Sequence, residues 1–177
     1  AVITVHEKGP VRATLRITQQ YNKSTAEQYV SLYSDHPDID VLIKLNWQER
    51  YTMLKLAYET CIQNGTTTCD TAYGCQIRNT DGWEEPCQKW VDLTGTIEGK
   101  PYGFAVINDS KYAFDIRDNI VRMTLLRSPA YAFHDRSRHD ASEPWPIMDQ
   151  GWHTIRVSLV PHKGSWEETN LVRKSWE

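Results

Sequence analysis

VRATLRITQQY (residues 11–21) is the stretch that decides the fold class. Val11, Ala13, Leu15 and Ile17 fall on one side of an extended chain, with Arg12, Thr14, Arg16 and Thr18 on the other. A period of two marks a half-buried strand, because successive side chains of a strand point to opposite faces. Downstream, TAEQYVSLYS (25–34) holds Tyr29, Val30, Leu32 and Tyr33, a set that favours extended structure. IDVLIKLNW (39–47) and YTMLKLAYE (51–59) are predicted to form a hairpin around the polar bend Gln48-Glu49-Arg50. Further strands are predicted near 71–78, 87–93, 102–108, 112–117, 120–127 and 152–160. Turns are predicted at Gln63-Asn64-Gly65-Thr66, Thr80-Asp81-Gly82, Thr94-Gly95 and Asp118-Asn119. Ser128 to Gln150, with Pro129, Pro144 and Pro146, is predicted to be a long polar loop. No amphipathic helix of ten residues stands out. Short strands at fairly regular intervals predict an all-β antiparallel sandwich, with residues 1–177 forming one such domain or part of one.

Composition removes several functional classes. A net charge of −3 over 177 residues offers no basic footprint for nucleic acid or an anionic membrane surface. No apolar run approaches the roughly 18 residues of a membrane span. AVITVHEKGP (1–10) lacks an initiator Met and reads at once as a strand, as though taken from a longer polypeptide. Cys61, Cys69, Cys75 and Cys87 match no zinc spacing. They are compatible with two disulfides in an exported parent or with reduced thiols in a cytosolic one. Asn22-Lys23-Ser24 and Asn64-Gly65-Thr66 fit the glycosylation pattern without deciding the compartment. Localisation stays open, with the balance toward the cytoplasm.

Catalytic constellations are scarce. The chain has no G-x-S-x-G elbow, no Gly-rich phosphate loop and no H-E-x-x-H. His134, Asp135, His139 and Asp140 could be imagined as metal ligands, but alternating charges in a polar loop are the mark of a solvated segment. A glycosidase needs two facing carboxylates, and the sequence singles out no such pair. Asp109, directly after FAVIN, suits a turn carboxylate bonded to its own backbone.

Four segments in order, QKWVDLTG (88–95), YGFAVINDSKYAFDI (102–116), VRMTLLRSP (121–129) and GWHTIRVSLVPHKGSW (151–166), resemble the β-domain of glycoside hydrolase family 38. GPVRATLRI (9–17), LYSDHPDIDVLIKLNWQERYTMLKLAYE (32–59) and AYGCQIR (72–78) extend the resemblance over nearly the whole chain. Trp90, Asp92, Asn108, Asp109, Ser110, Tyr112, His153 and His162 carry it as structural motif residues. Ala113 departs from the family's usual Gly, Ile155 and Val157 replace aromatics, and the loop 130–150 is longer and more charged.

The resemblance implies a supersandwich-like, galactose-mutarotase-like domain from the C-terminal region of a retaining, zinc-dependent α-mannosidase. Its partner would be a catalytic α/β domain of the same polypeptide, which holds the zinc, the nucleophile and the α-mannoside substrate. It transfers no catalytic residue, metal ligand or cofactor to this chain, which alone is expected to be inactive. Arg127 aligns with an arginine near the floor of the catalytic pocket, where a guanidinium could orient a carboxylate or a sugar hydroxyl. A purely structural alternative pairs Arg127 with Asp109 or Asp92. Two other functions compete. One is a free-standing carbohydrate-binding module using Trp83, Trp145, Trp152 or Trp166; the other is a protein-interaction sandwich. Substrate linkage and oligomeric state leave no trace in the sequence.

Overall fold

The alternation at 11–21 folds as β2 (Arg12–Tyr21), between β1 (Val2–Lys8) and β3 (Ser24–Tyr33). The computed structural model describes residues 1–131, 137, 140 and 142–177. The remaining elements are β4 (Ile39–Trp47), β5 (Met53–Glu59), β6 (Gln63–Thr71), β7 (Gly74–Arg78), β8 (Glu85–Pro86), β9 (Trp90–Ile97), β10 (Lys100–Asn108), β11 (Ala113–Arg117), β12 (Ile120–Arg127) and β13 (Gly151–Lys163). A 3-10 turn (Trp166–Thr169) and a short helix, α1 (Leu171–Trp176), follow. No helix among the described residues is long and apolar enough to cross a membrane.

All ladders are antiparallel. One sheet runs β1-β2-β3-β4-β13-β10-β9-β6-β7, and the second runs β5-β12-β11-β8. They face each other as a sandwich, the all-β architecture the alternation predicts. Val41, Ile43 and Leu45 of β4, Ile155 and Val157 of β13, Val106 of β10 and Leu93 of β9 supply one wall of the core. Phe114, Ile116, Val121 and Met123 supply the other. Each strand turns alternate residues inward, so apolar area leaves water while the polar set stays outside.

Three local predictions fail. Residues 39–47 and 51–59 do not form a hairpin: β4 pairs with β3 and β13, whereas β5 pairs with β12 in the opposite sheet. The bend at 48–52 is the corner where the chain crosses between sheets, and two amphipathic strands with a short link satisfy either geometry. Gln63 to Thr66 belongs to β6, where a bulge absorbs the Asn64-Gly65 pair and Asn64 takes a positive φ. Thr94-Gly95 lies inside β9, because a Cβ at Gly95 would stand 2.4 Å from the Gln63 carbonyl of the neighbouring strand. The turn at Asp118-Asn119 is present, with Asp118 at φ 57°. Ala113 opens β11 in ordinary extended backbone, paired with Pro86, so replacing the family's glycine brings no strain there.

Candidate functional site

The motif residues do not converge on one site. They occupy three places, each built by a different pair of elements.

The first lies on the outer face of the large sheet. Thr94, Gly103 and His162 are directly paired across β9, β10 and β13. Asp92 sits two residues along β9, on the same face. His162 donates from Nε2 to Asp92 Oδ1 at 2.8 Å, and Thr94 donates to Asp92 Oδ2 at 2.5 Å. The Asp92 side chain is fully buried, and that of His162 is 5% exposed. Gly103 makes the room: a Cβ there would lie 2.1 Å from the imidazole. Trp90 continues this face and packs on Trp166, with ring centroids 5.0 Å apart. Trp90, Ala105, Val160 and Leu171 form a second core under the C-terminal turn and helix. A carboxylate held this way, by a histidine in a closed pocket, ties strands together and presents nothing to a substrate.

The second is the turn after β10. Asn108 donates to the carbonyls of Gln88 (2.8 Å) and Lys89 (3.3 Å) and accepts from the Lys111 backbone at 2.7 Å. Asp109 accepts from Ser110 Oγ at 2.8 Å and lies 4.0 Å from Arg156. The turn-closing side chain is therefore Asn108, with Asp109 outside it. Tyr112 is exposed, and its carbonyl accepts from Cys87 N at 3.1 Å.

The third is the end of the sandwich where β12 stops and β13 begins. Asp149 accepts from the Arg127 backbone at 3.3 Å, and its carbonyl is 3.0 Å from His153 Nε2. Trp47 donates to Ser128 Oγ at 2.5 Å, while the Ser128 backbone bonds Tyr51 and Thr52. Arg127 itself is exposed, and among the described residues its guanidinium pairs with neither Asp109 nor Asp92. Those acids are taken by Arg156 and His162.

A charge cluster on the outer face of the small sheet is absent from the residues singled out by sequence. Asp115, almost fully buried, forms an ion pair with Arg122 at 2.5 Å and accepts a hydrogen bond from Lys55, which also reaches Glu84. Burial works against charge on Lys55, but hydrogen bonds to Asp115 and Glu84 outweigh it and raise its pKa. The signal was present: Lys55, Asp115 and Arg122 occupy the polar positions of three strands, but without register nothing joins them.

Among the described residues, no three His, Cys, Asp or Glu side chains are grouped to hold a metal ion. His134, Asp135 and His139 lie outside the described residues. Cys69 and Cys87 are buried free thiols, and Cys61 and Cys75 exposed ones. Burial pushes the Cys87 thiol up to about 12. Trp83 and Trp152 are 76% and 75% exposed, but Trp83 lies in the loop before β8 and Trp152 on β13 of the large sheet, while Trp166 is packed on Trp90 and Trp145 donates to the Asp140 carbonyl.

These features define a class: an antiparallel β-sandwich whose distinctive polar residues serve its own architecture. The model of the glycosyl hydrolases family 38 C-terminal domain matches residues 1–143, and the chain belongs to that family. Mouse alpha-mannosidase 2C1 is 25% identical over 98% of the chain, and its human counterpart 24%. The chain spans 16% of the length of each. A Saccharomyces cerevisiae alpha-mannosidase is 29% identical over 72% of the chain, which spans 11% of it. Among solved structures, a glycosyl hydrolase family 38 protein from Enterococcus faecalis superposes with a TM-score of 0.78 at 15% identity. That likeness covers 99% of this chain and 24% of the other, and shows the fold.

Proposed function

We propose that the chain is the C-terminal β-domain of a retaining, zinc-dependent α-mannosidase and supports a catalytic domain carried elsewhere on the parent polypeptide. The observation that carries this reading is the family match, together with relatives named alpha-mannosidase that align over almost all of the chain. The internal chemistry agrees with it. Asp92, Asp115, Asp38 and Glu27 are each engaged by a basic partner within the domain. A retaining glycosidase needs two carboxylates about 5–5.5 Å apart and open to the sugar, so these acids are spent on structure. Zinc, in this reading, binds sugar hydroxyls in the catalytic domain and draws no ligand from here.

Arg127 is the residue we assign to pocket support. Its backbone is fixed by Asp149, and its exposed guanidinium, with no acid partner among the described residues, could reach a carboxylate or hydroxyl outside the domain. In the full-length enzyme, Arg127→Ala is expected to lower turnover of an aryl α-mannoside about tenfold or more, with an unchanged melting temperature. Wild-type turnover in that variant would remove the assignment. The first-formed anomer, followed by NMR, tests retention, and loss of activity on chelation tests the zinc dependence.

A further inference from the structure

The two sheets are unequal, nine strands against four, and the mismatch is concentrated at one side. Ile3 and Val5 of β1 pair with Ile17 and Leu15 of β2; Leu15 pairs with Val30 of β3, and Val30 with the core residue Val41. All of these therefore point to the inner side of the sandwich. The small sheet ends beneath β4 and β3, because its last strand is β5. Ile3 (63% exposed), Val5 (67%), Leu15 (43%) and Leu32 (51%) consequently face open space on the side where a core should be. Ile17, Gln19 and Gln28 share that face, so it carries no charge in its central part. Among the described residues β5 has a strand partner on one edge only, which leaves a row of its backbone donors and acceptors without a ladder. The free edge and the bare face meet in a groove of about 380 Å³ whose lining includes Tyr21, Ala26, Trp47, Met53, Leu54 and, at β5, Lys55.

We infer that an extended segment of the same parent polypeptide adds to the free edge of β5 and covers the inner face of β1 to β3. This deepens, and rests on, the reading of the chain as one domain of a longer mannosidase. One strand satisfies both deficits: its backbone completes the β5 ladder, and its inward alternate residues bury Leu15, Val5 and Leu32. The apolar side chains of Leu15, Val5 and Leu32 favour apolar residues at those positions, with Lys55 and Lys8 at the margins of the face. The parent supplies the length, since the mammalian relatives are matched over only 16% of their chains. A segment on the same polypeptide also meets the groove at high effective concentration.

The test is hydrogen exchange on the full-length parent, read at the amides of Met53–Glu59, beside two charge insertions. The expected result is β5 protection on the order of 100-fold over an exposed edge, unchanged on dilution. Val5→Asp and Leu15→Asp should each lower the melting temperature by about 5 °C or more, because a charge would enter a closed apolar layer. Thr4→Asp, on the opposite face of β1, should leave it within about 1 °C. Rapid exchange at β5 in wild-type protein would overturn the inference, even if a variant fails to fold. Protection that disappears as a dimer dissociates would assign the groove to a second copy and overturn it too. Activity toward an aryl α-mannoside, measured on the same sample, reports separately on the mannosidase reading.

Discussion

Asp92 and His162 show how much a single buried pair can decide. Asp92 is fully buried and His162 nearly so, and glycine at position 103 leaves the imidazole its place. His162→Ala should cost about 3–5 kcal/mol, because it strands a carboxylate in a closed pocket. Gly103→Ala should destabilise by displacing the same ring, and thermal melts of both variants check this. The cysteines divide by burial. Cys61 and Cys75 should react with a thiol reagent in the native chain, and Cys69 and Cys87 only after unfolding. All four reacting at once would contradict the packing. Two carboxyls also set an acid limit. Hydrogen bonds from Arg16 and Tyr29 hold Glu27 below the ordinary 4.5, and Ser24 and Asn22 do the same for Glu49. A depressed folded pKa contributes stability that is complete above 4.5 and lost as pH falls through the lower folded value. Glu49→Gln should therefore flatten the acid limb of a stability–pH profile, while a parallel shift at all pH values would argue against the linkage.

At the scale of elements, the strands were legible wherever alternation was clean. VRATLRITQQY names its own inward face, and β2 keeps that assignment. Partner choice was not legible. β4 and β5 are both amphipathic and are joined by a short link, and only the long-range pairing of β4 with β13 and of β5 with β12 places them in different sheets. Gly65 and Gly95 read as turns because sequence does not show that another backbone runs alongside them. The candidate site was legible only as a set of residues. The Asp92–His162 contact spans 70 positions, and no local pattern joins its members. The helix α1 was missed because its six residues are too short for a helical period. It matters nonetheless, since Leu171 closes the layer over Trp90. Leu171→Asp should lift α1 and red-shift tryptophan emission as Trp90 and Trp166 meet water. An unchanged spectrum would mean that the helix does not seal that face.

Viewed whole, the molecule invests its buried charges in holding strands together. Asp92 with His162 anchors the outer layer, and Asp115 with Lys55 and Arg122 clamps the small sheet. Arg127 stands apart at one end, its backbone fixed by Asp149 and its side chain exposed. This arrangement agrees with the proposed role as a supporting domain of a larger glycosidase, a proposal that puts the chemistry outside residues 1–177. The most direct measurement compares the folded 177-residue chain with its full-length parent on an aryl α-mannoside. The account predicts hydrolysis by the parent and none by the chain at equal concentration. Turnover by the chain alone, or a folded parent that leaves the mannoside intact, would contradict it.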